Sequence, residues 1–230
     1  MLVGIHQSHY LPWLCYIDKL MRSDVFIVLD DVQFSKNGWQ NRNKLKTPSG
    51  PTILTVPVHA RAGQTLDEVR ISGDGPDWKK KHWRTIEQHY RKAPYFDEHS
   101  PFLVELYRRE WTHLIELNRH MLDYLLGVLG IATRVEYASS LDVQGGATER
   151  LVHLVKAVGG NAYLSGEFAL DAYLDPEPFR ESGIELKIQQ WTPPTYPQIY
   201  GEFIPDLSIL DLLMNCGPGA RAVLNGRQND

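Results

Sequence analysis

Apolar residues along this chain fall into runs of two kinds. Leu2–His6 and Val25–Leu29 are short and continuously apolar, the pattern of strands buried on both faces of a parallel sheet. Between them, Trp13 to Arg22 is long enough for a crossover helix, and Pro12 sits where a first-turn proline is welcome. Together they predict a βαβ unit at the start of the chain. Thr52–Val58 alternates and carries Pro57, which predicts a strand near an edge. Glu68–Ile71 is placed to pair with it across the turn at Gly63–Thr65. The middle of the chain changes period: Asp77–Lys92 and Pro101–Gly130 repeat their apolar residues at helical spacing, with Gly130 as the C-terminal stop. The α/β pattern then resumes. Strands are expected at Arg134–Ala138, Ala162–Leu164 and Ile184–Gln189, with helices at Thr148–Val158 and Ser208–Asn215. Gly217-Pro218-Gly219 should end the last helix, and the tail Asn225–Asp230 should fray. The fold class expected is α/β, a Rossmann-like, mostly parallel sheet. A single domain would span residues 1–230, with 77–130 a helical insertion or subdomain.

Composition narrows the class of function. The 230 residues suffice for a full core, and 43% hydrophobic with 23% charged is ordinary globular composition. A net charge of -4 argues against a DNA-binding role, which usually brings a basic excess. Cys15 and Cys216 belong to no metal-spaced cluster, so neither a disulfide scaffold nor a zinc site is expected. The start MLVGIHQ lacks a basic region and a long apolar core, and no run approaches a membrane span. The chain therefore reads as cytoplasmic.

Candidate chemistry collects after the two apolar runs. His6 and His9 stand three apart at a strand-to-helix junction beside Tyr10, where imidazoles can donate to phosphate oxygens at a helix N-terminus. Asp30 and Asp31 end the second run. Alternation along a strand lets only one of them point into a cleft, and Gln33 would lie on the side of Asp31. The polar stretch Lys36–Lys46 reads as a loop in which Arg42 can bind an anion with both guanidinium arms, beside Asn41. Lys36, Lys44 and Lys46 individually read as solvated. Ser165, in a Ser-Gly step before a helix, either adds backbone donors to an anion site or caps that helix. Tyr196 and Gln198, in a proline-set loop, are candidates for closing over a ligand. Asp206 or Ser208 reads as an N-cap. A metal held by His6, His9 and Asp30 or Asp31 lacks any recognised ligand spacing, so none is expected.

The string IHQSHYLPWLCYIDKLMRSDVFIVLDDVQFSKNGWQNRNKLKTPSG resembles the opening of the WbqC-like protein family. YLSGEFALDAYL and YPQIYGEFIPDLSILDLLMNCG resemble its later parts, so the likeness covers nearly the whole chain. It implies an association with bacterial surface-polysaccharide (O-antigen) or natural-product gene clusters, and constrains pathway more than reaction. A more distant likeness joins His6, His9, Gln33 and Phe34 to pantothenate synthetase and its nucleotidylyltransferase relatives, which use ATP to activate a carboxylate. The later phosphate loop of that superfamily is not evident here.

The expected activity is amide formation on an amino sugar or related amine by an acyl or aminoacyl transferase or ligase. Its donor would be a free amino acid with ATP, a carrier protein or an aminoacyl-tRNA, so ATP is a candidate cosubstrate. His6 and Arg42 would stabilise negative charge, and Asp30 or Asp31 would act as base or orient the amine. His9, Tyr10, Gln33, Asn41, Ser165, Tyr196 and Gln198 would hold substrate. The alternatives are a nucleotidylyltransferase-like enzyme without amide formation and a non-catalytic nucleotide-sugar binding subunit.

Overall fold

The structure, a computed structural model, describes residues 1–172 and 174–226. The chain divides into two compact units. A sheet unit is built from Met1–Ser8, Cys15–Val32 and Ala132–Thr192, and a second unit from His9–Leu14, Gln33–Ile131 and the chain from Pro193 onward.

The sheet unit holds five parallel strands: β1 (Leu2–Gln7), β2 (Val25–Leu29), β7 (Arg134–Tyr137), β8 (Ala162–Gly166) and β9 (Glu185–Gln189). Their spatial order is β7-β2-β1-β8-β9. The chain thus moves outward from β1 through β2 to β7, returns to the other side of β1, and continues through β8 to β9. This is the 3-2-1-4-5 order of a Rossmann-like sheet. Both faces of the central strands are covered, which explains why the sequence shows runs and not alternation. Val3, Ile5, Val25 and Ile27 pack in one cluster with Leu151, Val152, Leu154 and Val155 of α5 (Ala147–Ala157). On the opposite face lies α1 (Leu14–Arg22), whose Tyr16 meets Phe26 edge-on at 5.1 Å between ring centres. Gly4 lets the end of α1 come close: a Cβ there would run into Ser23 Oγ, which is held by Lys19 O at 2.7 Å. Two short helices, α6 (Glu167–Ala172) and α7 (Glu177–Glu181), separate β8 from β9.

The second unit combines helices with two small antiparallel ladders. β3 (Arg42–Thr47) pairs with β4 (Gly50–Thr55), in register from Arg42 opposite Thr55 to Thr47 opposite Gly50. β5 (Val58–His59) pairs with β6 (Arg70–Ile71). Around them stand α2 (Trp78–Tyr90), α3 (Phe96–Arg108), α4 (Leu114–Val128), α8 (Ile209–Cys216) and α9 (Ala220–Asn225).

Three expectations need correction. The stretch read as a polar loop is partly strand, because Arg42–Thr47 forms the ladder with β4. The single strand expected over Thr52–Val58 is broken at Val56-Pro57, and each piece takes a different partner. The long helix expected over Pro101–Gly130 is two helices, the first beginning before Pro101. Between them Thr112 O accepts from Ile71 N at 2.9 Å and Leu114 N donates to Val69 O at 2.9 Å, so this segment pairs with the β6 region. Trp111 Nε1 donates to Leu106 O at 2.9 Å, and Glu116 accepts from His113 N at 3.1 Å; both ends of the break are thereby satisfied. Gly130 does follow the helix in a left-handed conformation, at φ 59°. Ser208 is the N-cap of α8, its Oγ accepting from Leu210 N at 3.2 Å. The expected fraying concerns 225–230, of which 227–230 lie outside the described residues; Asn225 ends α9.

Candidate functional site

Alternation along β1 sends Val3 and Ile5 to the α5 face and His6 to the α1 face. There the imidazole meets the ring of Tyr16 edge-on at 5.2 Å, with Nδ1 3.1 Å from Gln7 O. His6 therefore stands at the carboxyl end of the central strand, the edge at which parallel sheets take ligands. Asp30 and Asp31 follow β2 and are not equivalent. Asp30 is buried, and Ser139 takes both of its oxygens, from its backbone N at 2.9 Å and its Oγ at 2.6 Å. Asp31 is ion-paired through Oδ2 with Arg150 of α5, while its buried Oδ1 has no hydrogen-bond partner among the described residues. Asp30 thus anchors the turn after β7, and Asp31 is the carboxylate that keeps acceptor capacity. Ser165, in β8, is fully buried, and its Oγ donates to Gly166 O at 3.3 Å. His6, Asp30, Asp31 and Ser165 all belong to the sheet unit.

The remaining candidates belong to the second unit, where they separate into two groups. Gln33, Asn41 and Arg42 line a groove of about 890 Å³, together with Lys36 and Arg61 and an apolar wall that includes Val56, Pro57 and Val58. The lining contains three cations and no carboxylate. Arg42 is held in place: its guanidinium donates to the backbone and side-chain oxygens of Asn37 and lies 5.6 Å from the centre of the Trp39 ring. Its Nε is buried and has no hydrogen-bond partner among the described residues. Asn41 ties the start of β3 to the wall, its Nδ2 donating to Val56 O at 2.9 Å and its carbonyl accepting from Val56 N at 2.8 Å. The groove is suited to an anion with an apolar or planar appendage. Arg61 carries no signal in the sequence, sitting in an unpatterned loop. Lys36 reads as solvated, and its charge gains meaning only beside Arg42.

The second group is interior. Tyr10 is fully buried and its hydroxyl lies between Tyr107 Oη at 2.5 Å and His82 Nδ1 at 2.9 Å. Because His82 Nε2 faces Thr55 O at 3.1 Å, it carries the proton; Tyr10 then donates to Nδ1 and accepts from Tyr107. Burial is the main cause that lowers the His82 pKa from 6.5 to about 4, so this chain of donors is neutral. Tyr196 donates to Asp211 at 2.8 Å and Tyr90 donates to it at 2.6 Å. Burial raises the Asp211 pKa, opposed by these two hydroxyls and the nearby Lys46. Lys46 corrects the expectation of a solvated side chain. It is 1% exposed and its ammonium donates to Gln198 Oε1 at 3.0 Å and Glu202 O at 2.6 Å. Gln198 also holds Ile204 through both its amide atoms. His9 is buried in this unit as well. Among the described residues no group of three or more His, Cys, Asp or Glu is placed to hold a metal, and no helix is long and apolar enough to cross a membrane.

The sequence profile of the WbqC-like protein family matches residues 7–223. An uncharacterized protein of Mycobacterium tuberculosis, Rv1507c, is 39% identical over 222 residues, which is 95% of each chain. No solved structure matches the chain.

Proposed function

The chain belongs to the WbqC-like protein family, and from that premise we propose that it is an enzyme that forms an amide on a nucleotide-linked amino sugar in the making of a surface polysaccharide or natural product. The groove of the second unit carries this reading. Arg42, Lys36 and Arg61 offer positive charge without a competing carboxylate, and Gln33 and Asn41 supply amides at the same wall. A nucleotide sugar presents the complementary chemistry: a diphosphate for the cations and a planar base for the apolar wall. Arg42 is the group to bind a phosphate oxygen in bidentate fashion, since Asn37 and Trp39 already fix its plane. Of the two carboxylates that follow β2, Asp31 is the one left with acceptor capacity. Asp30 spends both oxygens on Ser139, whereas Asp31 Oδ1 is buried with no hydrogen-bond partner among the described residues.

The test is incubation of the purified chain with nucleotide-linked amino sugars, amino acids and ATP, read by mass spectrometry. The expected product is the sugar nucleotide heavier by one acyl group. Release of pyrophosphate without an amide product would favour a nucleotidylyl transfer instead. Tight binding of the sugar nucleotide with no turnover under any donor would favour a binding subunit.

A further inference from the structure

Lys19 lies in α1 and is 5% exposed. Among the described residues neither a carboxylate nor a hydrogen-bond acceptor pairs with its ammonium. Its neighbour Asp18 is already engaged, by Arg22 Nε at 2.9 Å and Gln189 Nε2 at 2.7 Å. A lysine with a purely covering role lays its stem on the surface and keeps its head in water. One largely withdrawn from water without a partner is disfavoured in its charged form. Desolvation accordingly lowers the Lys19 pKa from 10.5 to about 8, partly offset by the Cys15 thiol one turn earlier on the helix. Such a group is explained if a bound anion supplies its counter-charge.

The position of the ammonium indicates what that is. A Cβ built on Gly166 would sit 3.7 Å from Lys19 Nζ, so the head of the side chain reaches the carboxyl end of β8, where the backbone carries no side chain. The strand order reverses direction between β1 and β8. In open α/β sheets the crevice at that reversal, outside the carboxyl ends of the strands, takes the ligand, phosphate-bearing nucleotides among them. Lysine serves phosphate as a compact point charge. We propose that Lys19 Nζ is the cationic anchor of an oxyanion site at the carboxyl end of β8, taking a phosphoryl group of a substrate or cosubstrate. The site lies wholly in the sheet unit, and stands or falls independently of the groove.

The experiment titrates inorganic phosphate, pyrophosphate and acetate at pH 7 by calorimetry and thermal unfolding. A background of Arg42→Ala with Arg61→Ala keeps the groove out of the readout. Pyrophosphate should bind and raise the melting temperature. Lys19→Met, similar in length and uncharged, should weaken that binding at least tenfold yet melt at or above its parent, because an ammonium without a partner has been removed from a largely buried side chain. Gly166→Ala should melt like its parent, its Cβ being in ordinary contact, and should also weaken binding by occupying the seat of the anion. Failure of all three probes to bind overturns the site. So does a Met variant that keeps the parent affinity, or Gly166→Ala binding unchanged. A Met variant that melts well below its parent shows a structural lysine, and acetate binding as tightly as pyrophosphate shows a carboxylate site.

Discussion

At the scale of single residues, the second unit keeps its strongest polar commitments inside. His82 is the most consequential for pH. The unfolded chain takes a proton on this imidazole near 6.5, the folded chain only near 4, so the unfolded state binds more protons between those values. The contribution of His82 is full above about pH 6.5 and is lost as pH drops towards 4, by on the order of 3 kcal/mol in total. His82→Gln, whose amide can accept from Tyr10 and donate to Thr55, should flatten this acid limb in urea unfolding measured from pH 7 to 4. An unchanged limb would show that other groups drive it. Asp211 makes the complementary case. Asp211→Ala would leave the hydroxyls of Tyr90 and Tyr196 without their acceptor and the Lys46 ammonium without its nearby counter-charge. A loss of roughly 2–4 kcal/mol is expected at neutral pH, measured by the shift of the urea midpoint.

At the scale of elements, β3 has a double duty, its alternate residues serving packing and surface. Asn43, Leu45 and Lys46 are buried, while Arg42 and Lys44 flank Trp39. Arg42→Ala should therefore weaken nucleotide-sugar binding about tenfold or more, the scale of one lost charge-assisted contact, with little change in melting temperature. Calorimetry and thermal unfolding on the same preparation separate the two effects. A large fall in melting temperature with unchanged affinity would make Arg42 a structural group. β3 also marks where the sequence became hard to read. β1 and β2 were legible because burial on both faces writes a continuous apolar run. Lys46 hides its signal, since a buried lysine held by Gln198 and Glu202 O looks in sequence like a solvated one. The break between α3 and α4 was illegible for a related reason. The apolar spacing of Leu106, Leu114 and Leu117 continues across it, and only long-range pairing of Thr112 and Leu114 with the β6 region interrupts the helix. Within the site, the grouping of Gln33, Asn41 and Arg42 could be suspected from their nearness in the chain. Arg61 could not, because it arrives through a separate loop.

At the scale of the whole molecule, charge is distributed unevenly. The net charge is -4, yet the groove lining gathers three cations and no carboxylate. Anion binding there should weaken steadily as salt rises, because exposed charges are screened over about 10 Å at 0.1 M. Titration of the nucleotide sugar at 50, 150 and 500 mM salt checks this; salt-independent affinity would mean that the apolar wall dominates. The order of the sheet has a further consequence, felt before the protein is finished. β1 leaves the ribosome before the other four strands of its sheet and is the central one, but its second neighbour begins at Ala162, about 160 residues later. At roughly 5–20 residues per second, the nascent chain carries that strand with one edge unpartnered for roughly 8–30 seconds. An unpaired apolar edge invites other chains. Newly made molecules should depend on holding chaperones until β8 emerges, and faster translation should shorten the period of risk.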